Sequence, residues 1–242
     1  MNATNADGRR VWWSRAVMIA GIAAVALPLF GALGTHVGAW SFKLGLLLFA
    51  VGFLVGFIGL VGGIIAAIVV LRRKRTSDRR PVFVGTALSA LIVVFLGAQF
   101  AGARGVPPMH DVTTDMADPP SFDVVVKLRG EGADINTLAY DPEKLPPQQR
   151  AAYPKLVPLD VSATPTAAFD TTVAVLRDLG LEVVNADRES MRIEAVATTF
   201  WFGFKDDVVV RIRPTDTGAR IDVRSVSRVG VGDSGVNAGR HI

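Results

Sequence analysis

The chain has 242 residues, 26 Lys and Arg against 22 Asp and Glu, three His and no Cys. Absence of Cys excludes disulfides, thiol catalysis and cysteine metal sites. The basic excess is confined to one half: up to Arg104 there are 11 basic residues against Asp7 and Asp78, and from Gly105 onward 15 against 20 acids. The C-terminal half is therefore acidic by five charges, and the basic balance gives no ground for nucleic-acid binding.

Three apolar runs come first, over residues 16–35, 44–71 and 82–103, and none contains Asp, Glu, Lys or Arg. A hydrocarbon core of about 30 Å needs about 20 helical residues, so each run predicts a transmembrane helix. Pro28 is the kind of interruption such helices tolerate. Arg9, Arg10 and Arg15 precede the first run, and Arg72 to Arg75 with Arg79 and Arg80 follow the second. Only Lys43 lies between the first and second. The positive-inside rule then predicts a cytoplasmic N-terminus and second loop, and an extracytoplasmic domain after Arg104. Trp12, Trp13 and Trp40 fit interfacial positions. A cleaved signal peptide is the alternative for the first run, and it leaves the side of the domain unchanged. Arg9-Arg10 suggests a twin-arginine signal, but Val11-Trp12-Trp13 does not support it.

Gly52, Gly56, Gly59 and Gly63 line one stripe of the second helix. Such a stripe packs either against the other two helices or against a second copy of the chain. Without a charge inside the spans, nothing suggests an ion pathway.

Residues 105–242 suffice for one domain. Up to Pro158 repeated prolines argue against long regular elements, with Phe122 to Leu128 as a short strand. From there the pattern is clearer. Val157 to Val161 reads as a strand. Thr164-Pro165 reads as an N-cap and first helical residue, Phe169, Val173 and Leu176 as an apolar helical face, and Gly180 as the C-terminal stop. Strands are expected over Leu181 to Asn185, Met191 to Ala195, Val208 to Arg213 and Arg220 to Ser225. The expectation is an α+β domain of two layers, a helix on an antiparallel sheet.

The outer face of that sheet carries Arg192, Arg211, Arg213, Arg220 and Arg224 with Glu194 and Asp222. It reads as a solvated face with cross-strand ion pairs, or as a surface for an anionic ligand. In Phe200-Trp201-Phe202-Gly203-Phe204, alternation predicts the three Phe in the core and Trp201 outward. His110, Asp111, Asp115 and Asp118 gather cation-type ligands, but such residues also serve as turn caps, and no metal or other cofactor is predicted.

Two stretches carry a resemblance. Pro107-Pro108, His110-Asp111, Thr113-Thr114-Asp115, Asp118-Pro119-Pro120 and Phe122 form the first. Ser225, Ser227-Arg228, Gly230, Asp233, Gly235, Asn237 and Arg240 form the second, preceded by Phe200 to Phe204 and Asp206-Asp207. Over residues 105–242 the chain resembles the bacterial envelope family named domain of unknown function 1499. The resemblance implies a bacterial source and an envelope location, and carries no activity with it.

The resulting expectation is a bacterial inner-membrane protein with a periplasmic binding domain for an envelope protein, lipid or polymer. Candidate ligand-binding residues are Arg224, Arg228, Asp233, Asn237 and Arg240, with His110 and Asp111 beside them. The alternatives are a hydrolase or transferase using His110 with Asp111 or Asp233, and a structural subunit that forms homo-oligomers through the second helix.

Overall fold

The computed structural model describes residues 11–102, 108–130, 134–230 and 232. The chain divides into two compact units near residue 104.

The first unit holds α1 (Trp12–His36), α2 (Phe42–Arg72) and α3 (Thr76–Gly102), each long and apolar enough to cross a membrane. Helix α3 starts six residues before the apolar run that predicts it. Apolarity marks the part suited to lipid, whereas the helix continues through Arg79 and Arg80 as a polar first turn. Close packing rests on small residues. On α2, Gly52 faces Pro28, Gly56 faces Ala24 and Ile92, Gly59 faces Ala20 and Ser89, and Gly63 faces Thr86. The stripe is thus occupied by α1 and α3 of the same chain. A second approach, not singled out from sequence, joins Gly21 and Gly85: a Cβ on either would overlap the backbone of the opposite helix. Asp78, fully buried, fastens the ends of these helices. Its Oδ1 accepts the Val11 N–H at 3.1 Å and the Ser14 hydroxyl at 2.7 Å, and its Oδ2 accepts Arg75 Nε at 2.8 Å. One carboxylate so fills an orphan amide at the start of α1 and pairs the adjacent loop.

The second unit is α+β. Its elements are β1 (Asp111–Thr113), α4 (Val124–Leu128), α5 (Leu145–Ala152), β2 (Leu159–Val161), α6 (Pro165–Asp178), β3 (Glu182–Asp187), β4 (Arg192–Thr198), β5 (Lys205–Thr215) and β6 (Gly218–Ser227). The sheet is antiparallel in the order β1-β6-β5-β4-β3, and β2 shares the outer edge of β6 with β1. Helix α6 begins as expected: Thr164 Oγ1 accepts the Ala167 N–H, Pro165 follows, and Gly180 closes the end at φ 78°. Ala168, Phe169 and Leu176 of α6 pack on Ile193, Ala195, Val208, Val210 and Ile212. Each large side chain so buried contributes about 1.5–3 kcal/mol.

Three expectations need correction. Phe122 to Leu128 is not a strand, since Val124–Leu128 is a short helix. Both oxygens of Glu194 on β4 accept N–H groups at its start, from Asp123 and Val125, each at 2.7 Å. This tertiary acceptor overrides the strand preference of three consecutive valines. Second, the outer sheet face is only partly solvated: Glu194, Asp222 and Arg224 are buried beneath the segments that run from β1 through α5, whereas Arg213 and Arg220 stay partly exposed and the expected cross-strand ion pair joins Arg211 to Asp222. Third, the aromatic stretch does not fill the core. It is the β4–β5 turn, with Phe200 81 % and Trp201 51 % exposed. Thr199 makes the loop by pairing its N–H with the Phe204 carbonyl at 2.8 Å and accepting the Phe204 N–H on its hydroxyl. The Pro-rich stretch also holds one regular element, α5, whose prolines sit in its first turn where no donor is missed.

Candidate functional site

The two faces of the sheet carry two different features. On the α6 face an apolar cleft of about 350 Å³ opens between the helix and the sheet. Val157, Leu159 and Val161 form one wall, Val175 and Leu179 the other, and Val208, Val210 and Val223 the floor. Among the described residues its polar lining comes from Thr114, Thr171 and Thr172, and Val157, Leu159, Val175 and Leu179 are exposed along its mouth. The cleft arises because α6 is anchored by Phe169 and Leu176, while β2 sits at the far edge of β6 and leaves a gap between.

The opposite face carries the charged residues. Strand register sets Asp207 on β5, Val226 on β6 and Asp111 on β1 in one cross-strand row. Arg224, two residues from Val226, reaches Asp111 through Nε at 3.0 Å and Nη2 at 2.7 Å. It also donates to the carbonyls of Pro120 at 3.3 Å and Leu138 at 2.8 Å, and lies against the rings of Phe122 and Tyr140. Arg228 grips Asp207 through Nε at 3.0 Å and Nη2 at 2.7 Å. Arg129 approaches the same carboxylate, Nε to Oδ2 at 3.2 Å. Nothing in the sequence reading pointed to Arg129, which sits alone in the turn after α4.

The structure thus brings together four of the candidate residues, Arg224, Arg228, Asp111 and, next in the chain, His110. Asp233, Asn237 and Arg240 lie outside the described residues. Burial pulls the His110 imidazole below its ordinary value. Asp111 opposes this, while Lys144, Arg129 and Arg224 reinforce it. Both Asp111 oxygens are taken by Arg224, so the acid–base pairing His110–Asp111 lacks a free carboxylate. Burial also raises the Tyr140 phenol to about 12.

The remaining carboxylates of the opening segment serve other arginines. Arg211 donates to Asp118 at 2.9 Å, Asp115 at 3.2 Å and its cross-strand neighbour Asp222 at 3.3 Å, and Arg213 reaches Asp115 at 2.9 Å. Burial disfavours the Asp115 anion, but the N–H groups of Asp118 and Ala117 and the Arg213 guanidinium outweigh it and hold the carboxyl below its usual range. Asp115 and Asp118 act here as clamps that fold the opening segment onto the sheet.

No curated protein and no solved structure matches the chain. A family model does match, over residues 111–241, more than half of the chain, from the first residue of β1 through the arginine cluster and the sheet. The chain belongs to the family described as protein of unknown function, DUF1499.

Proposed function

We propose that this is a multi-pass protein of the bacterial inner membrane whose C-terminal domain lies in the periplasm and binds an aliphatic chain of an envelope lipid. The distribution of Lys and Arg around the three spans supports the orientation. The observation that carries the binding reading is the cleft under α6: a concave site of about 350 Å³, lined by aliphatic side chains and without a charged group. That is the size and chemistry of a small-molecule site. Uncharged walls exclude sugars, peptides and nucleotides as the buried moiety, because their polar groups would be left without partners. The three apolar spans keep the domain beside a reservoir of such chains. Lipid maintenance or assembly of the envelope is the process this serves.

His110, Asp111, Arg224 and Arg228, on the sheet face opposite the cleft, are proposed as a separate site for a polar ligand, with Asp233, Asn237 and Arg240 alongside them. Association of copies, if α2 takes part, uses its outward residues Leu54, Phe57 and Ile58, since the glycine stripe is occupied.

The test is photocrosslinking in reconstituted membranes with a phospholipid carrying a diazirine near the end of one acyl chain. Crosslinks to α1–α3 serve as the internal control. Additional crosslinks to the peptides carrying Leu159 and Val175 are expected, and Val175→Arg should abolish those while leaving the helix crosslinks. Crosslinks confined to α1–α3 in the wild type would refute the reading.

A further inference from the structure

The three guanidiniums of the charged cluster are not equivalent. Arg224 fills its Nε, Nη1 and Nη2 with Asp111 and the carbonyls of Pro120 and Leu138. Arg228 fills Nε and Nη2 with Asp207 and turns Nη1 towards the Leu128 carbonyl at 3.5 Å. Arg129 is as buried as these, its side chain 6 % exposed, yet none of Nε, Nη1 and Nη2 has a hydrogen-bond partner among the described residues. It meets Asp207 by charge alone, because that carboxylate already accepts the fork of Arg228.

A guanidinium carries five N–H donors and stays ionised in proteins. Leaving it buried with the donors empty costs several kcal/mol. The local balance makes the cost sharper: among the described residues, Arg129, Arg224 and Arg228 pair with Asp111 and Asp207, one positive charge in excess. Burial lowers the Arg129 pKa, Asp207 opposes this, and Arg228 adds to it. An arginine with a merely structural part would resemble Arg224 and cap carbonyl groups. Arg129 instead keeps both Nη nitrogens buried without a hydrogen-bond partner among the described residues, and such a fork matches two oxygens of one anion. His110 adjoins the cluster, and the buried Tyr140 hydroxyl likewise has no partner among the described residues.

We propose that Arg129 is the centre of a binding site for a phosphate-type oxyanion, received by its Nη fork and held in the positive field of Arg228 and Arg224. Arg228, whose side chain keeps 15 % exposure, marks where the site reaches solvent. The anion is either free phosphate or the phosphate of a lipid headgroup. This gives the proposed polar site a definite chemistry. It lies on the sheet face opposite the cleft, so chain binding and anion binding succeed or fail independently.

The experiment is isothermal titration of the full-length protein, in a maltoside detergent that carries no phosphate, at pH 7.5, with inorganic phosphate against sodium chloride at matched ionic strength. Saturable binding of one phosphate is expected, weakened about tenfold or more in Arg129→Lys, which keeps the charge and loses the fork. Arg220→Gln, which removes an exposed pair with Asp160, should bind as the wild type does. Should Arg129→Lys not fold, Arg228→Lys is read in its place with the same expectation. In phosphatidylglycerol nanodiscs, competition against phosphate assigns the site to a lipid headgroup, and unchanged affinity assigns it to a free anion. No saturable binding by the wild type, an adventitious response equal to that in chloride, or full affinity in Arg129→Lys would overturn the proposal.

Discussion

Arg224 and Asp111 meet in a two-pronged ion pair, Nε to Oδ1 at 3.0 Å and Nη2 to Oδ2 at 2.7 Å, with side chains only 4 % and 1 % exposed. The pair joins β6 to β1, residues 113 positions apart, and fixes the opening segment over the sheet. Removing one partner leaves a buried charge alone. Asp111→Leu and Arg224→Met should therefore each destabilise the domain by about 3–5 kcal/mol. The double variant Asp111→Leu/Arg224→Met should recover much of that loss. Chemical unfolding of the four proteins of the cycle checks it, and additive losses would contradict the pair.

Gly21 and Gly85 bring α1 and α3 into backbone contact. A methyl group at either meets main chain, which cannot rotate away. Gly85→Ala should lower the thermal midpoint of the full-length protein in detergent. Gly62→Ala adds the same methyl to a helix position with nothing within 4 Å, and should be neutral or slightly stabilising.

His110 predicts a pH dependence. Its folded-state value lies below the ordinary 6.5, chiefly through burial. Between that lower value and 6.5 the unfolded chain binds more protons than the folded one. Stability is then complete above pH 6.5 and falls as pH drops through the folded value. His110→Gln should flatten the decline below pH 6.5. Asp115, whose carboxyl also titrates low in the folded state, contributes a separate loss only below the ordinary 3.8. An undiminished decline in His110→Gln would assign the effect elsewhere.

The chain has no Cys, so single introduced thiols report side without background. With the proposed orientation, Ser190→Cys and Val37→Cys should react with a membrane-impermeant maleimide on intact spheroplasts. Lys74→Cys should react only after lysis. The reverse pattern would invert the topology.

The membrane half is the part most fully determined by local sequence. Lipid offers no hydrogen bonds, so any uncharged apolar run of that length has one available conformation, whatever surrounds it. The same holds for α6, whose start at Thr164-Pro165 and stop at Gly180 are local backbone chemistry, and for the existence of β4 to β6, whose sequences alternate although both of their faces are largely buried. Tertiary structure decided the rest. Val124–Leu128 is helical because Glu194, about 70 residues away, accepts its first amides. Phe200 lies outside because Thr199 closes a turn there. Alternation marked Arg224 and Asp222 as outward but could not say whether water or chain lies beyond, and here it is chain. Arg129 carries no sequence signal at all. Its guanidinium has no hydrogen-bond partner among the described residues, and that is a property of the packed environment, formed when residues far apart in the chain meet.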